Sequence, residues 1–241
     1  MSWSFTLDEF AHVWLETGAV EYPYPIRVVE SARTEPETVR LHEAIAQRLP
    51  TGADQALTGA LELIARPDAR LVAIGGRTDD EAARIRIHGA LAADRAALLV
   101  QQPGIAAEFG GIIRLHSCPA DRLAARAVAI LPPAARGRAG RSVEPGAALA
   151  GESPLGAGST RAPSTSRQAR RVLSAPRTAE GHIRIETGLR TTQPDPPQYL
   201  SWVDVVRDGR YLIRTDGAVR IAPVSSENIA DYLQQALTGR R

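Results

Sequence analysis

Apolar residues recur at two spacings along this chain, three to four apart in some stretches and every second residue in others. The first helical stretch is framed by Thr6 and Glu9, a T-x-x-E capping box, with Phe5 and Phe10 placed as a hydrophobic staple. Leu7, Phe10, Ala11 and Trp14 then share one face, and Gly18 suits the position just past the helix end. Pro23 and Pro25 hold Tyr22–Ile26 extended and lead into an expected strand over 26–30. Further helices are expected from Thr34 to about Arg48, where Leu49-Pro50 stops the pattern, and over 54–65.

Strand periodicity follows over 70–75, 84–91, 96–102 and 112–116, seen best in the alternation Arg84-Ile85-Arg86-Ile87-His88. A helix over 120–131 closes this part. Later come strands over 182–187, 199–206, 210–214 and 218–222, with Asp208-Gly209 and Asp216-Gly217 as tight turns, and a helix over 226–237. Gly75-Gly76 and Gly110-Gly111 read as turns or bulges at strand ends.

The two stretches resemble each other. Gly111-Ile112-Ile113-Arg114-Leu115 aligns with Gly217-Ala218-Val219-Arg220-Ile221, and the register continues from Asp121 opposite Glu227 to Leu131 opposite Leu237. Upstream, Ile85-Arg86-Ile87 aligns with Ile183-Arg184-Ile185. Strands in a run followed by an amphipathic helix, twice, predict an α+β fold: a central antiparallel sheet flanked by helices, in pseudo-two-fold duplicated halves sharing one sheet. The expected organisation is one domain, with 1–131 its N-terminal half and 179–241 its C-terminal half.

Charge sets the stretch between them apart. All 29 basic residues are arginine. Eight of them, against two acids, fall between Pro132 and Thr178, leaving 21 arginines against 25 acids elsewhere, so the basic character of the chain belongs to one segment. With six prolines and six glycines and little apolar periodicity, 132–178 reads as a disordered insertion, apart from a short helix near Arg167–Leu173. Deletion of 137–169 is accordingly expected to leave folding intact. The segment holds no aromatic residue, which argues against specific nucleic-acid binding.

No stretch reaches the ~18–20 apolar residues of a spanning helix, so membrane insertion is not expected. The start of the chain lacks the pattern of a signal peptide, and the single cysteine, Cys118, cannot form an internal disulfide; a cytoplasmic protein is expected. The chemistry-bearing residues do not assemble into a motif. His42-Glu43 begins an H-E-x-x-H pattern, but Ala46 stands at the second histidine position, so neither metal nor cofactor is expected. Asp79-Asp80-Glu81 reads as a solvated turn, and Trp202 as core. His88, His116 and Cys118 are the remaining candidates for a small-ligand or catalytic site between the halves.

An ordered set of short pieces does carry a resemblance. Leu7-Asp8-Glu9-Phe10 with Trp14, Tyr24-Pro25, Ala97-Leu98-Leu99-Val100-Gln101-Gln102 and Ile130-Leu131-Pro132-Pro133 lie before and into the basic segment. Ala175-Pro176-Arg177, Gly209-Arg210-Tyr211-Leu212 and Ala222-Pro223 follow. Their order and spacing resemble the EspG family of actinobacterial type VII (ESX) secretion-associated proteins. The resemblance implies a central antiparallel sheet with a quasi-two-fold relation, no catalysis, and a cytoplasmic chaperone. Such a chaperone covers the hydrophobic tip of a secreted helical PE/PPE- or WXG-like heterodimer, keeping it soluble and export-competent. Homodimerisation is left open. The family's binding surface would correspond to the loop Arg77-Thr78-Asp79-Asp80-Glu81 and, on the last helix, Asn228, Asp231, Tyr232 and Gln235. Tyr232 also lies on that helix's apolar stripe, which offers it a packing role instead.

Overall fold

The computed structural model describes residues 1–80, 84–104, 109–145 and 164–239. The predicted capping box forms: Thr6 Oγ1 accepts from the Glu9 amide at 3.2 Å and the Glu9 carboxylate accepts from the Thr6 amide at 2.7 Å. It starts α1 (Leu7–Trp14), preceded by a strand the sequence pattern did not reveal, β1 (Ser2–Phe5). Next come α2 (Glu35–Arg48), α3 (Gln55–Ala65), β2 (Ala69–Arg77), β3 (Arg84–Ala92), β4 (Arg95–Pro103), β5 (Gly110–Pro119) and α4 (Leu123–Val128). The rest is β6 (Ser142–Pro145), α5 (Ser164–Ser174), β7 (Arg177–Glu186), β8 (Gln198–Val205), β9 (Gly209–Thr215), β10 (Ala218–Pro223) and α6 (Ser226–Thr238).

Among the described residues the strands make one ten-stranded sheet, ordered β1-β5-β4-β3-β2-β7-β8-β9-β10-β6. Every neighbouring pair is antiparallel. At the centre β2 joins β7 in register from Arg70↔Glu186 to Arg77↔Ala179. There Gly75 lies directly opposite Gly181, so Gly75 sits inside a strand rather than at its end. The reason is Trp202, fully buried above the pair: a Cβ on Gly181 would lie 2.0 Å from the indole, and one on Gly75 2.7 Å from it. Only a strand without a side chain at this point lets the ring lie flat on the seam.

One face of the sheet is covered by α4 and α6. Leu123, Ile229, Leu233 and Leu237 pack there against Leu71, Ile87, Leu98, Ile183 and Trp202. The other face is covered in two places. α1 and α3 lay Phe10, Trp14 and Leu61 over Leu99, Ile113 and Leu115, while α5 lays Ala169 and Val172 over Val203, Tyr211 and Ile221.

Outward from the seam, β2-β3-β4-β5-β1 on one side has the same order as β7-β8-β9-β10-β6 on the other. This places β5 opposite β10, as the downstream register expects. The upstream alignment of 85–87 with 183–185 instead sets β3 against β7, which hold different places in the sheet. The sequence alignment and the sheet order therefore pair different strands upstream.

Two expectations are corrected. Residues 26–30 form no strand: the side-chain amide of Gln101 takes both backbone groups of Arg27, accepting from its N–H at 2.8 Å and donating to its carbonyl at 2.6 Å. The two ends of 132–178 are built into the fold, and 146–163 lies outside the described residues. Arg210, on β9, is fully buried and forks onto Asp204 with Nε–Oδ1 2.6 Å and Nη2–Oδ2 2.7 Å. Its Nη2 also reaches the Pro132 carbonyl at 2.5 Å, and its backbone bonds Ala135 and Gly137 at 2.7 and 3.1 Å. Tyr211 continues the pinning, its hydroxyl accepting from the Ala139 amide at 2.8 Å. Polar anchoring orders this stretch, which an apolar pattern cannot report.

Gly181→Ala should lower stability by about 1–3 kcal/mol through overpacking, a fall in Tm of about 2–4 °C per kcal/mol. Trp202→Phe in the same chain should recover part of the loss, and an unchanged melt for Gly181→Ala would refute the close approach. Deleting 137–169 removes β6 and the buried Ala169, so a loss of several kcal/mol or of cooperative melting is expected. A melt like that of the full chain would restore the insertion reading.

Candidate protein-binding surface

The last helix begins at a second capping box. Ser225 Oγ accepts from the Asn228 amide at 3.1 Å, and Asn228 Oδ1 accepts from the Ser225 amide at 3.4 Å. Asn228 is therefore committed to its own helix end. One turn on, Tyr232 is half-buried beneath the Arg214 guanidinium, 5.1 Å from its ring centre, and its hydroxyl donates to Gln198 at 3.3 Å. Asp231 and Gln235 are exposed. All four line a groove of about 560 Å³ between α6 and β9–β10, whose far wall carries Arg136, Arg141 and Arg220. The groove joins a polar helix face to an arginine wall and an exposed apolar residue, Val143. It suits a protein surface better than an enclosed small molecule.

The predicted loop sits elsewhere. Arg77, Thr78 and Asp80 line a separate depression of about 380 Å³ at the end of the β2–β7 seam, and the two linings share no residue. Arg77 grips Asp79 with both forks, at 2.9 and 2.5 Å, and this contact holds the Asp79 carboxyl below its ordinary range. Thr78 ties the loop to β7, its hydroxyl donating to the Arg177 carbonyl at 2.6 Å. Glu81 lies outside the described residues. The expected surface thus resolves into two patches: a braced loop, and a helix face whose freest side chains are Asp231 and Gln235.

The histidine and cysteine candidates do not converge. On β3 His88 pairs with Leu99 of β4, and on β5 His116 pairs with Leu98 of β4, leucines that belong to the cores on opposite sides of the sheet. Cys118 lies on the Leu98 side, and burial pushes its thiol up, away from the reactive thiolate. Among the described residues no group of three or more His, Cys, Asp or Glu could hold a metal ion. No helix among them is long and apolar enough to cross a membrane.

His88 instead belongs to a polar network that the sequence did not signal. Its Nδ1–H donates to the Tyr24 carbonyl at 2.7 Å, so the carbonyl fixes the tautomer and the 22–26 strap is tied to the sheet. Beside it, Glu186 accepts two bonds from Arg70, at 2.5 and 3.0 Å, and pairs with Arg184 at 3.1 Å. The Arg70 bonds hold the Glu186 carboxyl low despite its partial burial. Alternating polar residues on a strand read as solvent-facing, which is why this partly buried cluster on β2, β3 and β7 escaped the sequence pattern.

The sequence profile of the EspG family matches residues 6–235. Among solved structures, the Mycobacterium tuberculosis type VII secretion system chaperone EspG5, in complex with a PE25–PPE41 dimer, has the same fold: TM-score 0.62 at 14% identity, covering 99% of this chain and 96% of its own. A Bacillus halodurans chain, 13% identical over 82% of this chain and 81% of its own, reaches a TM-score of 0.17. No curated protein matches.

Burial, with the Arg70 charge adding to it, pushes His88 down from 6.5 to about 4 against the opposing Tyr24 bond. Below pH 6.5 the unfolded chain takes a proton that the fold refuses, so the contribution of the neutral ring is complete above 6.5 and lost as pH falls towards 4. The loss is on the order of 3 kcal/mol. The low carboxyls Asp79 and Glu186 add theirs only at lower pH, whereas His116, also held low by burial, shares the window. Melts at pH 7 and pH 5 should therefore converge for His88→Gln relative to the native chain, and an identical pH dependence would exclude His88 as a source.

Proposed function

Because the chain belongs to the EspG family, we propose that it is a cytoplasmic, non-catalytic chaperone of type VII secretion, which binds the hydrophobic tip of a PE/PPE-like helical heterodimer. The observation that carries this reading is the family match over residues 6–235, which spans both sides of the central seam. The fold shared with EspG5 supports it.

The physical task is masking. A helical tip left exposed before export would self-associate, and a stoichiometric partner that buries it keeps the pair soluble. We place the contact on the outer face of α6 and the groove beside it, with Asp231 and Gln235 as the side chains free to reach a partner and Tyr232 as a partly covered anchor. Asn228 contributes by fixing the helix end. Arg77, Thr78, Asp79 and Asp80 form a second patch for the same partner, where the Arg77–Asp79 pair gives the loop a defined shape. The competing idea, a small-ligand or catalytic site between the halves, draws no support from His88, His116 and Cys118, which are split between two faces of the sheet.

Co-expression of the full chain with each of a panel of PE–PPE pairs, followed by size exclusion with light scattering, should give one complex of equal stoichiometry. Failure of every such pair to bind a folded chain would overturn the reading. Within the complex, Asp231→Arg and Gln235→Arg should each weaken binding by about tenfold or more, or about 1.4 kcal/mol, with Tm unchanged. Full affinity in both would move the contact away from α6.

A further inference from the structure

A second concavity, larger than the groove beside α6, is found among the described residues. It lies on the opposite face of the sheet, between α5, the turn from β8 to β9 and the 138–140 stretch, and encloses about 800 Å³. Arg138, Arg167, Arg171 and Arg207 line it, and all four are exposed. Its floor is apolar: Pro176, Val205 and Val206, the last of them 41% exposed.

The charge here is unbalanced by construction. The one acid in the lining, Asp208, is held in place by the Arg138 amide on Oδ1 and the Tyr211 hydroxyl on Oδ2, each at 2.8 Å. Its charge, which the Arg138 and Arg171 charges favour, offsets one of the four and leaves a surplus of three. Among the described residues none of the four guanidinium groups makes a close salt bridge, and Asp208 reaches Arg138 and Arg171 only through space. The stretch 146–163 carries one glutamate, Glu152, and one arginine, Arg161, and so adds no net charge. Four like charges around a concave apolar floor raise the local potential and favour an anionic occupant.

The chemistry of the lining narrows the class. Among the described residues no aromatic side chain lines the groove, so nucleotide bases have nothing there to stack on. A concave site with a recessed floor does not lie against a flat bilayer. Guanidinium forks match carboxylates two bonds at a time, and Arg167 and Arg171 stand one helical turn apart, the spacing of carboxylates at i and i+4 on a facing helix. Val205 and Val206 then offer a seat for an apolar side chain.

We propose that this groove binds an acidic helical segment of a partner protein, with carboxylates one turn apart meeting Arg167 and Arg171, others meeting Arg138 and Arg207, and an apolar residue on the valine floor. The site uses neither α6 nor the 77–80 loop, so it leaves those surfaces open. The proposal goes beyond the chaperone reading and does not depend on it.

The test uses the full chain and a fluorescein-labelled helical peptide of Glu, Ala and Leu with glutamates one turn apart, read by fluorescence anisotropy. Saturable binding is expected, weakening as salt rises. Arg167→Glu with Arg171→Glu should reduce affinity by about tenfold or more, while complex formation with a PE–PPE pair is retained. Should that double variant fail to fold, Arg138→Gln and Arg207→Asn, on the other wall, carry the same expectation; Asn suits the positive φ of 59° at Arg207. Absence of peptide binding, equal binding by folded variants, or tighter binding of oligothymidylate or phosphatidylserine vesicles than of the peptide would each overturn the proposal.

Discussion

Everything in this fold hangs on the contact of Trp202 with a pair of facing glycines. Gly75 and Gly181 remove the side chains from one point of the central seam, and the indole fills the vacated space. Through it β8 touches both central strands at once, so the two sides of the sheet share a core rather than meeting at an edge. The cost is visible too: the indole Nε1–H is buried without an acceptor among the described residues, a penalty of about 1–3 kcal/mol that the surrounding packing offsets.

The elements that could be read in the sequence are those whose apolar residues report burial directly. α1, α3, β2, β4 and α6 fall where the periodicity puts them, because Phe10, Leu61, Leu71, Leu99 and Leu233 face single, well-defined cores. β1 escaped because four residues cannot establish a period. The expected strand at 26–30 went wrong for the opposite reason. Its extended pattern is real, but the partner for its backbone is the Gln101 side chain rather than another strand. The largest difference lies at the two ends of the arginine-rich segment, where composition suggested disorder. Arg210 and Tyr211, two residues of the distant β9, hold its start by hydrogen bonds to backbone atoms, and no local pattern carries that information.

The candidate surface was legible in part. Asp231 and Gln235 lie exposed on the helix face expected of them, and Tyr232 divides its area between groove and core. Asn228 turned out to serve the capping box, a role that Ser225 three positions earlier could have signalled. That the loop at 77–80 and the face of α6 open into different depressions depends on the register of β2 against β7 and the path of α6 across the sheet. Both are tertiary facts.

A sheet this broad has only two rims, and both are finished by very short strands. β1 and β6 are four residues each, and β6 runs out at Pro145, whose ring nitrogen cannot donate to a further neighbour. Neither rim offers a long, flat ladder on which a second copy or an unfolded client could continue the sheet. A protein whose proposed work is to handle sticky helices in a crowded compartment thereby keeps its most dangerous feature, a ten-strand array of hydrogen-bonding groups, closed to runaway polymerisation.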